Sequence, residues 1–233
     1  MKKVFVVGLL LLIVACSKEK ELGNMVVKGQ IKGLKKGTLY LQKMNDSLVT
    51  SVDSISLLGK DTFTLSDNIE SPQMYYIAFD DKTTVKRVRF FGEEGTITLN
   101  DNVNNFGVGT VVEGSKNQKI MEDYQKMTQS FQDKQLDLIK ANFEAQKKND
   151  VKESDSLKEV SSKLLRKRYL FSANFALRHP DAEASAFIAI TDLVDANIKI
   201  LDTIQNTLSA DVRKSLYGKK LENFIAGIKK NEK

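Results

Sequence analysis

Glycine divides this chain in two. Ten of its thirteen glycines lie between Gly23 and Gly114, and none occurs from Ser115 through Tyr217. Glycine supplies the backbone conformations that turns need and weakens helices, so the first stretch reads as turn-rich and the second as helix-compatible. The hydrophobic period changes at the same place. Before it, Leu39 and Leu41 alternate with Thr38, Tyr40 and Gln42, Phe63 and Leu65 with Thr62 and Thr64, Val88 and Phe90 with Arg87 and Arg89, and Ile97 and Leu99 with Thr96 and Thr98. A period of two gives strands with one buried and one solvated face. It predicts strands near 25–31, 38–44, 47–57, 61–66, 74–80, 85–91, 95–100 and 107–112. Short strands at this spacing indicate an antiparallel β-sandwich or a small open barrel. Lys35-Lys36-Gly37 and Glu93-Glu94-Gly95 read as hairpin turns, and Pro72 as a connection or a strand's first residue.

From Ser115 the spacing is helical. Ile120, Tyr124, Met127 and Phe131 recur at 4-3-4 intervals, continued by Leu136, Ile139 and Phe143. Asn149-Asp150 opens a turn, after which Leu157, Val160, Leu164, Phe171 and Phe175 line a second helix ending at Arg178-His179. Pro180 is expected at the first position of a third helix carrying Phe187, Ile190, Leu193 and Val194. Ile200, Leu201, Ile204 and Leu208 mark a short fourth, and Ser209 caps a fifth with a stripe of Tyr217, Leu221, Phe224 and Ile228. The expected fold is α+β: an N-terminal sandwich over 25–114 followed by an all-helical region over 115–233, its first two helices an αα-hairpin.

The N-terminus carries an address. Lys2 and Lys3 precede a twelve-residue apolar run, Val4 to Ala15, too short to span a bilayer and matching a secretory signal. Ile13-Val14-Ala15-Cys16 resembles a bacterial lipobox, with residues 1–15 as lipoprotein signal peptide, Cys16 as the lipidated mature N-terminus, and 16–24 as a polar tether. The competing reading is an ordinary secretory signal with an accidental cysteine. Cys16 is the chain's sole cysteine and sits at the cleavage boundary, which favours lipidation. Two or three acyl chains would hold the protein to a membrane without spanning it. Ser17 after the cysteine points to outer-membrane sorting in a Gram-negative envelope, on the periplasmic face or the cell surface. Removal of Lys2 and Lys3 leaves 34 basic and 30 acidic residues, +4 against +6 for the whole chain, too little and too dispersed for nucleic acid.

The chemistry-bearing residues are sparse. A single cysteine excludes an internal disulfide framework and a CxxC pair, and His179 alone excludes a Ser-His-Asp triad or a His-based metal cluster. His179, before a proline at a helix junction, reads as a cap or turn residue. Asp46, Asp53, Asp61, Asp80 and Asp81 fall in turns and strand ends without EF-hand spacing. Lys163, Arg166, Lys167 and Arg168 form the densest basic cluster, read as a solvated face. Phe106-Gly107-Val108-Gly109 lacks phosphate-loop spacing. Arg87 and Arg89, with Tyr75, Tyr76 and Phe79, either line a binding surface or belong to a strand packed under the helices. No catalytic residue, cofactor or metal site is expected.

The order of VKGQIKGLKKGTLYLQ, SVDSISLLGKDTFTL, ESPQMYYIAF, RVRFFGEEGTITL and VVEGSKNQ resembles a bacterial N-terminal domain of unknown function. The matching positions include Gly29, Ile31, Gly33, Leu34, Gly37, Tyr40, Leu41, Asp53, Ser54, Phe63, Pro72, Tyr76, Phe91, Glu93 and Gly95, with Val112-Glu113-Gly114-Ser115 closing the pattern. The helical half is similar to the region that follows this domain in TlpA-like, thioredoxin-family thiol–disulfide oxidoreductases, with His179-Pro180 at a matching junction. The resemblance implies an envelope location. It implies no redox activity here, because the sequence reaches Lys233 without a CxxC. The expectation is a non-enzymatic, membrane-anchored envelope lipoprotein acting as a binding or scaffolding module. The alternative is an accessory subunit of a separate thioredoxin-like oxidoreductase in the periplasm.

Overall fold

The computed structural model describes residues 21–45, 48–81 and 84–231. The stretch read from sequence as a signal peptide, residues 1–15, and Cys16 lie outside them. Among the described residues eight strands precede the α-helices: β1 (Met25–Lys32), β2 (Lys36–Asn45), β3 (Leu48–Leu58), β4 (Thr62–Asp67), β5 (Gln73–Asp81), β6 (Thr84–Gly92), β7 (Gly95–Asn102) and β8 (Val111–Glu113). They form two four-stranded sheets, one ordered β4-β1-β7-β8 and the other β3-β2-β5-β6. The arrangement is a sandwich that does not close into a barrel. The alternation read from sequence fills its interior: Val27, Leu39, Leu41, Phe63, Leu65, Tyr75, Ile77, Val88, Phe90, Ile97 and Leu99 belong to one buried cluster.

Two details depart from expectation. The sheets are not wholly antiparallel, since β1 and β7 pair in parallel from Met25↔Gly95 to Lys32↔Asn102. Both strands enter from the same end, where Gly95 N–H donates to the Asn24 carbonyl at 2.9 Å. Nor are Lys35-Lys36-Gly37 and Glu93-Glu94-Gly95 hairpin turns, because β1 and β2, like β6 and β7, belong to different sheets. These glycine turns carry the chain across the sandwich. The eighth strand is also shorter than the expected 107–112. Gly107 and Gly109 take φ of +88° and +80°, and Asp101 Oδ2 accepts from Gly107 N–H and Thr110 Oγ1, holding 106–110 as a loop.

The helices are α1 (Lys116–Lys147), α2 (Val151–Arg178), α3 (Glu183–Asp192), α4 (Ile198–Thr207), α5 (Ala210–Lys214) and α6 (Leu216–Asn231). Ser115, Asp150, Asn197 and Ser209 cap four of them through side-chain oxygens. Asn149, with φ of 55°, turns the chain between α1 and α2. Pro180 does not start α3. It lies in a turn closed by Ala182 N–H on the His179 carbonyl, and α3 begins three residues later. The single fifth helix expected from Ser209 is two, broken at Ser215, whose Oγ donates to the Val212 carbonyl and accepts from Gly218 N–H.

A second core joins the halves. Met74 and Phe91 of the sheet belong to the same buried cluster as Ile120, Met121, Tyr124, Phe175, Ile188 and Leu221 of the helices. The rings of Phe91, Phe187 and Tyr217 pack edge-on, with centroids 5.0–6.0 Å apart. The far half of the α1–α2 hairpin has no such layer. Leu136, Ile139 and Phe143, read from sequence as part of the core stripe, are 52–56% exposed.

Candidate functional site

The β3-β2-β5-β6 sheet hides one face and shows the other. Tyr75, Ile77, Val88 and Phe90 point into the sandwich, so period two sends Met74, Tyr76, Arg87, Arg89 and Phe91 outward. At one end of this outer face, Met74 and Phe91 are sealed by helices. At the other, Arg87 and Arg89 are exposed. The register places Gln42, Tyr76 and Arg89 in one row across β2, β5 and β6, and Gln42 Oε1 accepts from Arg87 Nε at 3.2 Å.

Helix α1 overhangs this face. Gln118 Oε1 accepts from Phe91 N–H at 2.8 Å, while its amide donates to Glu122 Oε1. Two clefts result, sharing Arg89, Met121 and Gln125. One, of about 350 Å³, lies between β6, α1 and the Gly107–Val112 segment. The other, of about 430 Å³, lies between α1 and the end of α3, against Tyr124, Phe187 and Asp192. In the second, Tyr124 Oη bridges Ser172 Oγ and Asp192 Oδ2. Burial, and then the hydrogen bond to Asp192, push the Tyr124 phenol above its ordinary range, so it stays a neutral donor. The clefts offer a ligand guanidinium and amide groups, while the Tyr124 phenol is committed to Asp192 and Ser172.

The other sequence candidates are dispersed. His179 caps α2, its N–H on the Ala176 carbonyl and its ring 4.6 Å from that of Phe175. Asp53 Oδ2 accepts from Ser66 N–H, tying β3 to β4 across the sandwich. Asp61 accepts from Gln30 Nε2 and Gly33 N–H, and these bonds, the first above all, lower its pKa. Asp46 lies outside the described residues. Lys163 pairs with Glu159 on the exposed face of α2. No group of three or more His, Cys, Asp or Glu side chains converges among the described residues.

Sequence reasoning passed over the joint between the halves. Glu93 was legible as a turn residue, yet its carboxylate accepts from the N–H groups of Lys116 and Asn117, the first two residues of α1. A negative charge there meets the positive end of the helix dipole, and α1 has no acid of its own in that turn. Asn117, 3% exposed, donates to Glu93 and Glu183 and accepts from Ala184 N–H, supplying α3 with the cap that Ala182 cannot. A polar residue two places after a Ser N-cap carries no pattern that marks this role.

A DUF4369 domain, a domain of unknown function, is found at residues 25–121. Comparison with curated proteins and with solved structures returns no match. The DUF4369 stretch takes in all eight strands and the first turns of α1, the segment that Glu93 and Gln118 bind to the sheet. Arg87, Arg89 and the helix residues Gln118 and Met121 of the first cleft all fall inside it.

Proposed function

We propose that the chain is a membrane-anchored envelope lipoprotein, tethered through Cys16 at the outer membrane, whose DUF4369 domain and helices form a non-catalytic binding module. The lipobox-like Ile13-Val14-Ala15-Cys16 supports the tether. The observation that carries the binding role is the cleft under α1, where the sheet turns two exposed arginines toward open space beside the helix. A buried strand packed under the helices would have its outer face apolar throughout, as at Met74 and Phe91; at Arg87 and Arg89 it is charged and open. The resemblance to the leading regions of TlpA-like oxidoreductases supports an envelope setting.

The test has two parts. Cys16→Ser should move the protein from the membrane fraction to the soluble fraction of a Gram-negative host, and continued membrane association would refute the tether. Photo-crosslinkers placed at Val108, beside the cleft, and at Ile139, on the hairpin, should capture an envelope protein in intact cells. Recovery of a thioredoxin-like oxidoreductase would assign the chain as its accessory subunit. Absence of a specific adduct from both positions would refute a binding module.

A further inference from the structure

The most informative feature of the cleft is its main chain. β6 is an edge strand of its sheet. Phe91 N–H donates to Gln118 on α1, so it faces away from β5. The β5–β6 register runs unbroken from Gln73↔Gly92 to Asp81↔Thr84, and in an antiparallel ladder the outward-facing residues alternate. The N–H and C=O groups of Arg89 and Arg87 therefore also face outward. No group among the described residues bonds them. Arg87, Val88 and Arg89 line the 350 Å³ cleft along this edge, and its far wall is the loop at Gly107 and Thr110, with Gly107 beside the Arg87 carbonyl, and the β8 residue Val112. This is the seam where the sandwich stays open, between the edge of one sheet at β6 and the edge of the other at β8.

We infer that this seam receives an extended, acidic segment of a partner protein, which adds to β6 as a strand. The inference rests on the binding-module reading and names the partner's chemistry. The main-chain groups of Arg87 and Arg89 supply ladder hydrogen bonds, and the same two residues supply the charge that selects the strand. The charged groups facing the cleft are Arg87, Arg89 and the single acid Glu122, already engaged by Gln118. The balance is positive. A second copy of this chain is disfavoured, because two-fold pairing of β6 with itself about Val88 sets Arg87 against Arg89 of the other copy, and like charges across strands repel. Charged edges commonly keep sheets from pairing with one another. Here the charge leaves one class of strand admissible, an acidic one.

The test uses the purified full chain and a blocked octapeptide of alternating glutamate and valine. Titration should perturb the amide resonances of Arg87 and Arg89 and slow their hydrogen exchange at least tenfold at saturation. The Phe91 amide, already bonded to Gln118, should change little and serves as an internal control of the fold. Methylating two peptide nitrogens that face β6 removes two ladder bonds and should weaken binding by about tenfold. The Arg87→Glu/Arg89→Glu variant, altered only at exposed side chains, should lose the peptide while keeping its circular dichroism. Three results would overturn the inference: no binding, binding without protection of the Arg87 and Arg89 amides, or equal binding of a lysine–valine peptide. Adducts from Ile139 but none from Val108 would also overturn it, while leaving the binding-module reading in place.

Discussion

Tyr217 is the sharpest test of how the two halves hold together. β2 follows β5 only as far as Lys43↔Tyr75, so the N–H of Met74, one residue beyond, has lost its strand partner. Tyr217 Oη, from the first turn of α6, accepts that N–H at 3.0 Å. Both residues are 7% exposed, so water is a poor substitute. Tyr217→Phe keeps the ring against Phe91 and Phe187 and removes only the acceptor. A buried N–H left without a partner costs about 1–3 kcal/mol. With a urea m-value of about 2 kcal/mol/M, the unfolding midpoint should fall by roughly 0.5–1.5 M. The Met74 amide should exchange faster in the variant. A midpoint shift equivalent to less than about 0.5 kcal/mol, with Met74 exchange unchanged, would show that the hydroxyl is not what satisfies this strand end.

Gly29 sits in β1 beside β7, and a Cβ there would fall 1.7 Å from the Leu99 carbonyl oxygen. Gly29→Ala should therefore force the central ladder apart and destabilise the fold by more than about 3 kcal/mol, read by thermal or urea unfolding; a wild-type midpoint would refute the packing. Alkaline titration followed by ultraviolet absorbance should show three late tyrosines. Burial is the main cause for Tyr75, Tyr124 and Tyr217, the last pushed up to about 12. Their folded pKa lies above the unfolded value near 10, so their contribution to stability is intact below pH 10 and is lost as pH rises through the folded values. All six tyrosines ionising together in the folded protein would contradict this burial.

The sandwich was legible because a face-by-face alternation has few alternatives: Leu39, Leu41, Ile97 and Leu99 must turn the same way, and they do. Strand order was not legible. Lys35-Lys36-Gly37 has the residues of a tight turn, and nothing local tells a turn within a sheet from a step between sheets. The helical stripe misled at Leu136, Ile139 and Phe143, because periodicity records that a face is apolar and not that another element covers it. Pro180 obeyed its own restriction yet joined a turn, since α3 took its N-terminal support from Asn117 on another helix. The cleft was half legible. Arg87 and Arg89 were visible as outward residues of an alternating strand, but their open main chain follows from β6 being an edge, which is a property of the sheet and not of the segment.

The place of β1 has a mechanical consequence. It is the first strand of the described residues, yet it lies inside its sheet, joined to β4 through residues 25–30 and to β7 through residues 25–32. A pull on the chain from its N-terminal end runs along the strand axis and loads both ladders in shear, so their hydrogen bonds share the force. An edge strand pulled outward would peel, one bond at a time. A body loaded through its own central strand resists unravelling at the point where the force enters.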